Sequence, residues 1–305
     1  MWAKHHLLPE FYLRHFVDPD TPAGMKNPYV WRYDLAEQHW QRKGPENKIF
    51  TSRYYYAFQN KKKQLVNTLE PWLSAVESRG AALIRQLAFR TPLTEREVED
   101  FSLFIAQLMC RTPQSRVATA SWLDRKCQEF VAEQIQHWRE NPEEFERGVQ
   151  RYRDKSGKSA DITIEDVERA KPKLEPRDGT LLGHSMPPTI GLAARLLTMS
   201  WRIFCTEPEH WLVICDQPCA LILPDDITEE TFQGFLTKDI EFHVPLMPNM
   251  LFAVFEHGPR CAFGGVLGSE LVAQLNREMV GRAKEFIVTS MSRKDGSSRG
   301  QNTAW

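Results

Sequence analysis

The chain has 305 residues, 42% of them hydrophobic and 26% charged, with a formal net charge of −1. That balance suits one large globular domain or two small ones with a sizeable core, and it excludes a global electrostatic drive toward nucleic acid, membranes or strongly acidic partners while leaving a local basic groove open. No apolar run is long enough to span a bilayer, and the start MWAKHH has no apolar leader region, so a cytoplasmic protein without membrane contact is expected.

In chain order, His5 and His6 precede a short helix whose first turn takes Pro9. Leu8, Phe11, Tyr12, His15 and Phe16 follow one apolar stripe, and Glu10 and Arg14 form an i, i+4 pair on the other face. YVWRYDL and HWQRK alternate like a small hairpin, with SRYYYAF as a third extended piece. Lys61 to Phe89 reads as one long helix, kinked or restarted at Pro71. Thr94 and Glu97 form a capping box for the next helix, and Thr112 and Pro113 supply the N-cap and first position of another that runs to about Trp138. A charged stretch with short exposed helices follows, then a more buried helix over PPTIGLAARLLTMSW.

The period then changes. RIFCT, HWLVIC, CALILP, IEFHVPL and LFAVFEH are short apolar or alternating runs bounded by Pro, Asp and Gly, and they predict a mostly antiparallel sheet. GSELVAQLNREMVGRAKEFIVTS reads as a closing helix capped by Ser269, and residues 291–305 as a disordered tail. The fold class is therefore α+β: a helical body, a small N-terminal hairpin and a mostly antiparallel C-terminal sheet, in a single domain over residues 1–290. The six cysteines form no C-x-x-C pair and no zinc-finger spacing, so free thiols are expected.

Helical geometry singles out polar residues beside apolar faces. On the long helix Leu69, Leu73, Val76, Gly80, Leu83, Ile84 and Leu87 form the stripe, and Glu70 and Glu77, seven apart, border it on one line. On the next helix Phe101, Phe104, Ile105 and Leu108 form the stripe, and Asp100, Gln107 and Arg111 run along its edge. The short RTPLTE connection favours an antiparallel pair that turns Arg111 toward the two glutamates. Such a set is either a structural ion pair or one wall of an anion or phosphate site. Neighbouring strand residues face opposite ways, so of His5 and His6 one points inward and one outward. Asp216 and Gln217 lie between two apolar strands, as a tight turn bonding its own backbone or as a carboxylate facing a pocket. There is no P-loop, G-x-G-x-x-G, G-x-S-x-G, H-E-x-x-H or kinase motif set. H-H-x-x-P occurs in some His-metal finger nucleases, but the Asn and His those require do not follow.

Five separated segments, HHLLPEFYLRHF, TLEPWLSAVES, FIAQLMCRTPQSR, HWLVICDQP and LNREMVGRAKEFIV, occur in this order and resemble the bacterial and fungal domain-of-unknown-function family 4238. The resemblance covers nearly the whole chain, to about Ser290. It picks out His6, Glu70, Glu77, Gln107, Arg111, Asp216 and Asn276, and for some members it implies an association with defence against phage. Cys215 stands where that family's pattern has Ser, and Gln217 where it has Asn.

Two functions compete. The first is a phosphodiester hydrolase, nuclease-like, acting on nucleic acid or a nucleotide. His6 would be its base, Glu70, Glu77 and Asp216 its ligands for Mg²⁺ or Mn²⁺, and Arg111 its phosphate clamp. The second is a non-catalytic nucleic-acid or ligand-binding sensor. There the polar set, with His5, Gln107 and Asn276, is structural, and the NKKKQ and SRYYYAF surfaces stack on single strands.

Overall fold

The computed structural model describes residues 4–22, 24–53, 58–59, 65–66, 69–157, 161–170, 178–224, 226–228 and 236–290. The N-terminal strand β1 (Lys4–His6) pairs antiparallel with β4 (Thr51–Arg53), setting His6 opposite Thr51. The short helix α1 (Glu10–Arg14) follows at once, with Pro9 as its N-cap rather than inside its first turn. Leu8, Tyr12, Leu13 and Phe16 are fully buried, and the Tyr12 hydroxyl donates to the carbonyl of Pro245. The aromatic stripe read from the sequence therefore fastens the N-terminus into the core.

The hairpin of β2 (Val30–Asp34) and β3 (His39–Lys43) forms as expected. It is not free-standing, because an isolated two-stranded hairpin is at best marginal in water. It continues into β13 (Phe286–Thr289) and then β8 (Ile214–Cys215), giving the strand order β3-β2-β13-β8. The closing helix is correspondingly shorter than expected. α8 (Ser269–Arg282) stops at Ala283, whose ψ of 137° is extended, and FIVT becomes the buried strand β13. All four of its residues are buried, which suits a β-branched run in the middle of a sheet. Gly268, not Ser269, occupies the N-cap of α8, and no side chain caps it.

A second sheet runs in the order β12-β7-β11-β10-β9, from β7 (Ser200–Thr206), β9 (Ala220–Ile222), β10 (Glu241–Met247), β11 (Met250–Phe255) and β12 (Cys261–Leu267). Its pairs are antiparallel except β12 with β7, which is parallel. Strand β12, CAFGGVL, lacks a clean alternation and was not expected. The small pair β5 (Phe58–Gln59) and β6 (Leu65–Val66) precedes the helices.

The long helix expected from Lys61 begins only at Glu70: α2 spans Glu70–Ala88, with Pro71 in its first turn, where proline costs no helical hydrogen bond. Residues 61–64 and the tyrosines of SRYYYAF lie outside the described residues, as does the tail 291–305. α3 (Glu95–Cys110) carries the Thr94–Glu97 capping box, and α4 (Pro113–Glu140) carries the Thr112 cap. α5 (Pro142–Ser156) and α6 (Ile164–Ala170) bury no residue. α7 (Asp178–Thr198) leads into β7.

One apolar cluster joins α1, α2, α3, the end of α7, the inner face of the five-stranded sheet, and Val30, Phe286 and Val288 of the other sheet. At its centre Phe101 packs against Trp201 and Phe252, the latter edge-on with ring centroids 5.3 Å apart. Helices α2 and α3 lie antiparallel against it. Gln86 Nε2 reaches Glu97 at 3.4 Å, and Arg79 reaches Asp100 at 2.6 Å. Gly80 faces α3, and a methyl group there would overlap the Phe104 ring.

Candidate functional site

Strand β1, the start of α2 and the end of α3 bring four of the expected residues together. Glu77 and Arg111 form a direct ion pair from Arg111 Nη1 to Glu77 Oε1. Arg111 is 4% exposed, whereas the Glu77 side chain keeps 26%. A guanidinium so deeply buried requires a carboxylate beside it. The pair arises because Arg111 is the C-cap of α3 and Glu77 lies on the face of α2 that α3 approaches.

The field of this pair reaches two further side chains. His6 is held below its ordinary pKa of 6.5, first by burial, with Arg111 acting the same way and Glu10, Glu77 and Glu46 opposing. Its Nε2 lies 3.7 Å from Glu10 Oε2. Glu70 is held above its ordinary 4.5, first by burial and then by Glu77, with Arg111 opposing. A histidine biased toward its neutral form and a carboxyl biased toward its protonated form therefore border one buried ion pair. Glu10 and Glu46 were missed as members of the cluster. The i, i+4 spacing of His6 and Glu10 is a signal for the first, but the same spacing pairs Glu10 with Arg14, which it also binds at 3.0 Å. Nothing local marks Glu46.

Gln107 lies one turn before Arg111 on α3, about 40° round the helix, and so borders the same region. It is 3% exposed, and neither its Oε1 nor its Nε2 has a hydrogen-bond partner. An unmatched buried amide group costs about 1–3 kcal/mol. Asp100, expected in the same row, is turned away to Arg79. His5 lies in β1 opposite Ser52, and its side chain falls outside what is described.

Asp216 and Asn276 belong elsewhere. Asp216 is fully buried, and its Oδ1 accepts from the backbone amides of Lys284, Glu285 and Phe286 at 3.0, 3.1 and 3.3 Å. Its Oδ2 accepts from Gln217 Nε2 at 3.2 Å. The carboxylate thus clamps the turn from α8 into β13, a long-range role rather than a turn bonding its own backbone or a carboxylate facing a pocket. Asn276 accepts from the Val213 amide at 3.0 Å and donates to the Trp211 carbonyl at 2.9 Å, tying the same segment to α8. Cys215, in the place of the expected Ser, is buried against Met279 with its thiol pushed up to about 12 by burial, so it is unreactive. All six cysteines are free.

The expectation of a Mg²⁺ or Mn²⁺ site made by Glu70, Glu77 and Asp216 is therefore corrected. Asp216 is committed to three backbone amides, and Glu77 to Arg111. Among the described residues no three His, Cys, Asp or Glu side chains are grouped to hold a metal ion. A groove of about 680 Å³ between α5 and α6 is lined by Phe145, Arg147, Arg153 and Thr163 among others, and by none of the site residues. Among the described residues no helix is long and apolar enough to cross a membrane.

A family model described as a protein of unknown function, DUF4238, matches residues 4–293. No curated protein and no solved structure matches the chain.

Proposed function

The chain belongs to the DUF4238 family, and from that premise we propose that it is a phosphodiester hydrolase, nuclease-like, with His6 and Glu70 as its acid–base pair. The observation that carries this reading is the opposite bias of two half-buried groups, His6 toward neutral and Glu70 toward protonated, beside one buried ion pair. Neutral His6 takes a proton from the attacking water, whose oxygen bonds to phosphorus. The bond from phosphorus to the leaving oxygen breaks, and Glu70 gives that oxygen its proton. Glu77 holds the Arg111 guanidinium in place, and Arg111 supplies fixed positive charge where negative charge develops on the phosphoryl oxygens. No step is assigned to a metal, because Asp216 lies elsewhere and Glu77 is committed to Arg111. A role in defence against phage remains part of the proposal through the family resemblance.

Labelled single- and double-stranded DNA and RNA, incubated with the purified protein in Mg²⁺, Mn²⁺ or chelator, test this reading. The expected outcome is cleavage that persists in chelator and disappears in His6→Gln and Glu70→Gln with the melting temperature unchanged. Absence of cleavage on every substrate would overturn it.

The second reading, a nucleic-acid or ligand-binding sensor with a structural polar cluster, draws on the closure of Glu77 and Arg111 onto each other. It draws also on the engagement of Asp216 and Asn276 by backbone. Saturable binding of an oligonucleotide without turnover is its expected result.

A further inference from the structure

We infer that Gln107 is the specificity element of this site, its carboxamide hydrogen-bonding the edge of a nucleobase carried by the substrate. The inference rests on the phosphodiester reading and adds the part of the ligand that the acid–base pair does not touch.

Both polar atoms of the Gln107 side chain are buried and unmatched. The hydroxyls of the cap that follows on the chain are matched. The Thr112 hydroxyl accepts from the Ser115 amide, and the Ser115 hydroxyl donates to the Met109 carbonyl. The rest of this face of α3 is apolar, from Phe101 through Phe104 to Leu108. Methionine or leucine would fill the volume of Gln107 and leave no amide unpaired, so the sequence places a carboxamide where packing alone favours a hydrocarbon.

The chemistry of the carboxamide selects among ligands. It presents an acceptor and an amino donor side by side in one plane. A phosphate oxygen accepts only, and would leave Oε1 unmatched. The Watson–Crick edge of every nucleobase sets a donor beside an acceptor and matches both atoms at once. Rotation of the carboxamide by half a turn swaps its donor and acceptor, so it complements amino-bearing and lactam edges alike. Dependence on having a base at all is therefore expected, more than selection of one base. Placement agrees: Gln107 and Arg111 share a helix face one turn apart, which puts the base contact beside the charged pair.

The test is calorimetric titration of the full chain with AMP, GMP, CMP and UMP, and with ribose 5-phosphate, which has no base. In the native protein the nucleotides should bind roughly tenfold more tightly than ribose 5-phosphate. In Gln107→Met they should fall to the level of ribose 5-phosphate, whose own affinity is unchanged, while the melting temperature holds or rises. Should that variant fail to fold, the side-chain amide resonance of Gln107 in the ¹⁵N-glutamine-labelled native chain, assigned with Gln107→Asn, should shift with AMP and not with ribose 5-phosphate. Equal nucleotide affinity in the native protein and Gln107→Met, or an unmoved amide resonance, would overturn the inference. The carboxamide would then be served by buried water, and the phosphodiester reading would stand. A native protein that binds neither nucleotides nor ribose 5-phosphate would overturn the inference, and the cleavage assay would decide the phosphodiester reading separately.

Discussion

At the scale of single residues, burial sets what the ionisable groups can do. His6 and His15 are both held below 6.5 by burial, with Arg85 adding to the effect at His15. Between their folded values and 6.5 the unfolded chain binds more protons than the native one, so stability should fall as the pH drops through that window. Glu70 runs the other way: its folded value lies above 4.5, so its contribution is lost as the pH rises through that value. Urea midpoints measured from pH 7 down to pH 5 should decline, and His15→Asn should flatten the decline. A flat native profile would rule out the histidines as its source. For catalysis, His6 must be neutral and Glu70 protonated, so a pH–rate profile should peak on the acid side of neutrality. Glu77→Gln should behave differently from the acid–base variants. It leaves the Arg111 guanidinium buried without its carboxylate and should cost about 2 kcal/mol of stability, read as a lower melting temperature. Helical spacing alone made Glu70, Glu77, Gln107 and Arg111 legible, because positions seven or four apart must share a face. Glu46 was illegible, since it enters the field of His6 from a loop far along the chain.

Among the elements, two contacts decide how the site is held. The first is the close approach of α2 and α3. Gly80→Ala should force its methyl against Phe104, push the helices apart and cost about 1–3 kcal/mol, with the Glu77–Arg111 pair disturbed as a consequence. The second is the Asp216 clamp. Asp216→Ala would leave the amides of Lys284, Glu285 and Phe286 without their acceptor and should cost about 3 kcal/mol or more, visible in chemical denaturation. An unchanged midpoint in Asp216→Ala would contradict a clamping role. Local sequence rules located the caps of α3 and α4, because Thr94, Glu97 and Thr112 act on amides within three residues of themselves. They overextended α2 and α8. Period alone carries a helix back past Glu70 and forward through FIVT, although the β-branched residues of FIVT suit the buried strand they form.

Across the whole molecule, one apolar cluster unites both sheets with α1, α2 and α3, so these parts are expected to unfold together. The helices α5 and α6 bury nothing and should open independently. Hydrogen exchange should therefore protect the amides of β11 and α3 to the level of global unfolding and release those of α5 and α6 well before it. Equal protection throughout would contradict this division. By itself the sequence determined the α+β class, the helical faces, the caps of α3 and α4 and the facing of Arg111 toward Glu70 and Glu77, since each follows from periodicity or from chemistry within a few residues. Only the tertiary structure decided that the N-terminal hairpin shares a sheet with β13, that β12 pairs parallel with β7, and that Asp216 and Asn276 fasten backbone instead of joining His6 and Glu70. Those outcomes depend on which distant segments supply the missing strand neighbours and hydrogen-bond donors, and no local pattern encodes the identity of a partner some seventy residues away.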